Sequence, residues 1–212
     1  MPISLRMLTA ACRLGVGHAI GAHVPTAMTL REAIVADVGS EGTVSPSSTR
    51  RLTEVHLIAA RERALRLFAM TSTIFPEEWA SREIVELTVT DASELAYHAR
   101  RVIDLCGFHK RSFDLVDQTR FGLNPGQDIT FVSDLHDALN RLHHAREFKF
   151  HWAILNQPKK IYLASQKELV VSFLEIGTDY RKMANISLFG VAISFLNSVI
   201  RAVKDEFPKY QF

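Results

Sequence analysis

The hydrophobic period of this chain changes at Arg146, and that change constrains the fold more than any other feature. Before it, Val132, Leu135, Leu139 and Leu142 recur at the spacing of one helical face. At about 100° per residue they fall within a wedge of about 80°. After it, Phe148, Phe150, Trp152 and Ile154 alternate with Lys149, His151 and Ala153, the pattern of a half-buried strand. A helical segment that runs straight into a strand predicts a domain of mixed α+β character.

The elements on either side extend this reading. Leu57, Ala60, Ala64, Leu67 and Phe68 predict a helix over 53–70. Phe75-Pro76-Glu77-Glu78-Trp79 reads as the start of the next helix, because the first turn needs no internal N–H bond and tolerates proline. That helix is expected to run from 79 to 106, with a fault at 88–90 and a capping-box restart at Asp91 and Glu94. Gly107 stops it. Downstream of 148–154, the apolar runs 161–165 and 169–176 complete a three-stranded antiparallel meander. A final amphipathic helix over 186–203 is the natural cover for its greasy face. The expected fold is mainly α (α+β), a helical bundle with a small antiparallel three-stranded sheet covered by the C-terminal helix. Both tryptophans, Trp79 and Trp152, are expected in the core.

Residues 50–212 form one expected domain, and 1–49 a flexible N-terminal tail and linker. The stretch 39–51 is rich in Gly, Ser and Thr, and the first 31 residues hold Arg6, Arg13 and Arg31 but no acid. A start at Met28 is one reading of that segment. A signal peptide is not expected, because Arg13, Gly15, Gly17 and His18 interrupt the apolar run.

Composition excludes several classes. Hydrophobic residues make up 47% and charged residues 23%, values of a globular protein. The formal charge of +2 does not by itself argue for nucleic acid. The run 186–203 approaches the roughly 20 residues of a bilayer span. Its Ser187, Gly190, Ser194, Asn197, Ser198 and Arg201, however, share one side of a helical wheel, so a core-facing helix is expected and no membrane. Cys12 and Cys106 give neither metal spacing nor a disulfide framework, which points to a cytoplasmic protein.

Nine histidines raise the question of metal. His143 and His144 are adjacent and point about 100° apart on a helix, and His136 and His143 stand two turns apart. No His-Glu-x-x-His or cysteine pair occurs, so neither metal nor cofactor is expected. Nucleophile elbows and Gly-rich phosphate loops are absent as well, and Cys106 lies on an apolar stripe. What remains is arginine and histidine borne on helices. That combination suits metal-independent RNA cleavage, in which a base takes the 2′-OH proton and a cation stabilises the crowded phosphate. The basic stretch Arg50, Arg51, Arg61, Arg63 and Arg66 reads either as a solvated face partnered by Glu54 and Glu62 or as a phosphate-contacting surface. Arg100 and Asp104 are spaced to pair along one helix.

Two segments also resemble a known group. Leu95-Ala-Tyr-His98-Ala-Arg100-Arg-Val-Ile-Asp104 resembles the His-Ala-Arg…Asp helix of a set of bacterial helical proteins. Leu139-Asn140-Arg-Leu-His-His144-Ala-Arg146 resembles their later Asn-Arg-x-x-His-Ala segment, which a short β region follows. That set is associated with the HEPN superfamily, helical nucleotide-binding and RNase domains of defence and toxin systems. The likeness covers roughly residues 50–205 in element order, and its motifs occupy about twenty positions. It implies a homodimeric helical bundle that binds RNA or nucleotide and, in active members, cleaves RNA without metal. Carried over, His144 is the base and Asn140 orients the substrate. Arg100, Arg141 and Arg146 contact phosphate, and His98 joins them as a nucleic-acid-binding residue. Active members carry an arginine four to six residues before the histidine, whereas this chain has Asn140 before His144, with Arg141 closer.

Two other readings compete: a non-catalytic helical interaction or scaffold module, and a small-molecule-binding regulator. An RNA-cleaving site predicts His98, Asn140 and His144 on one concave wall, and their dispersal favours the scaffold.

Overall fold

The computed structural model describes residues 3–6, 46–79, 82–115, 130–155, 161–162, 167–179 and 182–210. Helix α1 spans Pro46–Ser72. It begins inside the stretch expected as linker, because proline at a first helical position already has helical φ and lacks only an N–H that would go unpaired. Its inward stripe is Leu57, Ala60, Ala64 and Leu67, all fully buried. Expectation and structure also differ at the N-terminus: β1, Ile3–Arg6, is an edge strand on the sheet rather than tail. Residues 7–45, most of the expected tail, lie outside the described residues.

Helix α2, Arg82–Leu105, runs without the expected fault. The Thr88 hydroxyl is satisfied by the Ile84 carbonyl at 2.7 Å, so a threonine that favours strands is accommodated inside the helix. Asp91 is not a cap. It is 3% exposed and receives Arg63 Nη1 at 3.0 Å and Arg66 Nε at 3.2 Å from α1. Arg63 Nε also reaches Glu94 at 2.6 Å. The basic stretch of α1 is therefore neither a merely solvated face nor a phosphate surface at these two positions; it clamps α1 to α2. The intrahelical partners expected from spacing do form, with Arg50–Glu54 at 3.0 Å and Arg66–Glu62 at 3.8 Å.

The sheet differs from a three-stranded meander. Strands β2 (Ile74–Pro76), β3 (Glu147–Ile154), β4 (Glu168–Gly177) and β5 (Ala184–Ile186) join β1 in the order β1-β3-β4-β2, with β5 also on β4. All pairings are antiparallel. Because β3 occupies one edge of β4, β2 and β5 share the other, opposite 168–170 and 174–176 respectively. Ile161 and Tyr162, the start of the expected middle strand, form a bend instead, and 163–165 lie outside the described residues. The cause is the buried Glu168 carboxylate, which accepts the backbone N–H groups of Ile161 and, at 2.8 Å, Tyr162, so those donors are not available to a ladder. Phe75-Pro76, expected as a helix start, is strand β2, where proline is tolerated because it sits on a sheet edge.

Trp79 is 62% exposed, against the expectation of core: it sits on a single 3-10 turn, Glu77–Trp79, with the Tyr162 ring 6.5 Å away. Trp152 is half-buried and packs against Phe75 and Phe150.

Helix α3, Leu135–His143, starts at Asp134, whose carboxylate accepts the Asp137 N–H at 2.8 Å. Val132 precedes the helix and bonds the Asn185 carbonyl. The C-terminal helical segment is built from α4 (Leu188–Ser194), a π-helical turn (Phe195–Val199) and α5 (Ile200–Glu206). Its cover of the sheet is shared, since β4 packs against α1, α3 and α4. The expected polar back is polar only at its C-terminal end: Ser187 and Ser194 are buried, and Ser187 caps α4 through the Gly190 N–H at 3.0 Å. The result is a mainly α protein with α+β character. Among the described residues no helix is long and apolar enough to cross a membrane.

Candidate functional site

Helices α2 and α3 pack side by side. Tyr97, Arg100, Arg101 and Asp104 follow i, i+3, i+4, i+7 spacing, which places them along one strip of α2. Their strip flanks the stripe buried by Leu95, Ala99 and Val102. On α3 and its C-cap, Asn140, His143 and His144 repeat the same geometry. The chain turns at His144, and the Arg146 N–H bonds the Gly177 carbonyl at 2.9 Å, which brings the end of β4 alongside the end of α3.

An open groove of about 710 Å³ results, with Asn140, Arg141, His143, His144 and Arg146 on one side and Thr178 and Asp179 on the other. A smaller recess of about 230 Å³, lined by Tyr97, Arg100, Arg101, Asp104 and His143, adjoins it through the shared His143. Across the helix seam, Arg100 Nη1 lies 3.3 Å from His144 Nε2. A guanidinium only donates, so this contact requires the lone pair on Nε2 and the imidazole proton on Nδ1.

Five of the six residues expected from sequence therefore meet at one place. Asn140, Arg141, His144 and Arg146 line the groove, and Arg100 reaches it through His144. His98 does not, so the expected shared wall of His98, Asn140 and His144 is not formed. One residue on from Tyr97 is a rotation of about 100°, and His98 turns toward α1, where its Nδ1 lies 2.9 Å from His56 Nδ1.

The cations are not equivalent. Arg141 is held by Asp137 at 3.0 Å and the Lys182 carbonyl at 3.0 Å, and Arg146 by Asp179 at 2.7 Å. Arg100 has no carboxylate partner among the described residues, because the expected Arg100–Asp104 pair is replaced by the contact to His144. His143, exposed at the junction of groove and recess, has a pKa below the ordinary imidazole value, through partial burial and then the charges of Arg100, His144 and Arg101. Both causes favour the neutral ring.

Residues that sequence reasoning did not single out as the site are Tyr97, Arg101, His143, Thr178, Asp179 and His56. Tyr97 and Arg101 were detectable, since they flank His98 and Arg100 at the spacing of one face. Thr178 and Asp179 carried no local signal; only the return of β4 alongside β3 places them here.

The His56–His98 contact sits behind the site. One Nδ1 must donate and the other accept, so two protonated rings cannot both fit. Burial, first, then His98 and Arg101 lower the pKa of His56; burial, then Arg63, lower that of His98 against the opposing pull of Glu94. With both folded pKa values depressed, the unfolded chain binds more protons as pH falls below the ordinary value of 6.5. Stability is therefore expected to be full above that pH and to be lost as pH falls through the depressed values. Urea midpoints from pH 8 to pH 5 should decline in the native protein and decline less steeply in His98→Leu; equal slopes would contradict the assignment.

Compared with protein-family models, curated proteins and solved structures, the chain matches none. Among the described residues, no group of three or more His, Cys, Asp or Glu side chains is placed to hold a metal ion.

Proposed function

We propose that this protein is a HEPN-like RNA-binding protein that cleaves RNA without metal in the groove at the end of α3, beside Arg100 of α2. The observation that carries this reading is the 3.3 Å approach of Arg100 to His144 at the margin of an open groove. A phosphodiester entering between them is a stronger acceptor for the guanidinium than an imidazole is. Arg100 then binds a non-bridging phosphate oxygen, and His144 Nε2 is freed to accept the ribose 2′-OH proton. The 2′-oxygen attacks the neighbouring phosphorus, the P–O5′ bond breaks, and the products are a 2′,3′-cyclic phosphate and a 5′-hydroxyl. The leaving oxygen takes its proton from solvent or from the imidazolium just formed. In this reading Asn140, one turn before His144 and on the groove wall, holds the ribose. The resemblance extends the proposal to a cytoplasmic homodimer in a bacterial defence or toxin system.

Total RNA incubated in EDTA with the native protein should be cleaved, and His144→Ala should lower the rate by about 10²–10⁴-fold. Equal cleavage by both proteins would contradict the role of His144. A second reading, a non-catalytic interaction module, is favoured by the carboxylate partners of Arg141 and Arg146 and by the turn of His98 away from Asn140 and His144. It expects negligible cleavage by native and variant alike.

A further inference from the structure

The recess beside the groove has features that phosphate binding does not require. Tyr97 is 42% exposed at its wall, a large ring left in contact with solvent. Its plane lies within 29° of that of His143, with centroids 6.0 Å apart, and Arg101 lies 6.0 Å from the tyrosine centroid. Aromatic and guanidinium planes beside a cationic groove are how single-stranded nucleic acids are held, because every base has a π face to stack. The volume of about 230 Å³ admits one base and not a duplex.

The second feature is Asp104. An exposed carboxylate next to a groove for phosphate weakens anion binding unless it reads a donor. Arg100, four residues earlier, is turned toward His144, and among the described residues Asp104 forms no ion pair. A carboxylate only accepts, through two oxygens side by side. Guanine alone among the four bases presents two adjacent N–H donors, N1–H and N2–H, on its Watson–Crick edge. Adenine and cytosine place a ring acceptor next to their amine, and uracil flanks its single N–H with carbonyls; each sets a lone pair against the carboxylate.

We infer that the recess takes an unpaired guanine, stacked on Tyr97 and read by Asp104 through N1–H and N2–H, so that RNA is engaged at single-stranded guanines. This rests on the RNA reading of the groove and adds the base that the site selects. Tyr97 and Asp104 are the specificity residues; neither takes part in the proton transfers.

The test is fluorescence anisotropy with short 2′-fluoro uridine tracts, which lack the attacking hydroxyl, each carrying one central guanine, adenine, cytosine or inosine. The guanine probe should bind roughly tenfold more tightly than the adenine and cytosine probes. Inosine, which keeps N1–H and lacks the N2 amine, should fall between. Asp104→Asn should bring all four probes to within about twofold of one another, the loss of a bidentate pair. Tyr97→Ala should weaken every probe by roughly tenfold, while Tyr97→Phe keeps the stacking surface and the affinity. Four equal affinities in the native protein, or a guanine preference that survives Asp104→Asn, would overturn the inference and leave RNA binding in the groove standing. Failure of every probe to bind would overturn both.

Discussion

Replacing Arg100 with alanine is expected to slow RNA cleavage by about 10²–10³-fold, the loss that follows removal of one preorganised donor from a developing negative charge. The size of the effect follows from the state of this side chain. Among the described residues Arg100 touches His144 and no carboxylate, so its charge is available to the phosphate without first breaking an ion pair. Arg100→Lys should recover only part of the rate, because an ammonium cannot span two oxygens as the planar fork does. Arg146→Ala should cost far less, since its exposed guanidinium is already matched by Asp179 at 2.7 Å. Initial rates on an end-labelled oligonucleotide, with unchanged circular dichroism as the control for folding, measure this order. A rate for Arg100→Ala equal to that of the native protein would remove the cation from the mechanism.

The largest effect on stability is expected at Asp91. Asp91 is 3% exposed and lies between Arg63 and Arg66, so Asp91→Ala removes the one buried carboxylate they share and leaves them only Glu94 and Glu62. Breaking a buried ion pair by removing one partner costs about 3–5 kcal/mol. Here the lower end applies, about 3 kcal/mol, because Arg63 keeps Glu94 at 2.6 Å and both arginines are partly solvated. At roughly 2–4 °C per kcal/mol for a chain of this size, Tm should fall by roughly 10 °C. Calorimetry decides it: a shift of only a degree or two would mean that the clamp contributes little beyond the apolar packing around it.

Much of the helical architecture was legible because it rests on periodicity. The stripes of α1, α2 and α3 are long and regular, and each apolar position named from spacing in α1, except the partly buried Phe68, is fully buried. The strand pattern at β3 holds for its first half, where Phe148 and Phe150 are buried; the register shifts between His151 and Trp152, and Ile154 is exposed. What could not be read were features decided by tertiary partners. Pro76 opens a helix or ends an edge strand on equal local evidence, and only its pairing opposite Glu168 decides. Asp91 and Glu94 spell a capping box until two arginines from another helix claim them. Glu168 gave no warning that its carboxylate would take the N–H groups of Ile161 and Tyr162. Trp79 shows the limit of ranking by hydrophobicity, for a bulky ring on a one-turn helix at the sheet end has little to pack against.

The site divides along the same line. Asn140, His144 and the arginines were legible as a helix margin, since spacing alone gives a face. The separation of His98 from them was not, because which flank of α2 meets α1 and which meets α3 depends on how three helices pack. His98 bonds His56 of α1, whereas Tyr97, which also packs edge-on against His56 and His98, reaches across to His143 of α3.

Where RNA lies on the protein is the central claim, and photocrosslinking measures it directly. A short RNA carrying 4-thiouridine, irradiated on the native protein in EDTA and mapped by mass spectrometry, should attach to the peptides holding Tyr97–Arg101 and Asn140–Arg146. Crosslinks concentrated on the exposed arginines of α1 instead, or spread without preference over the surface, would contradict a site at the junction of α2 and α3.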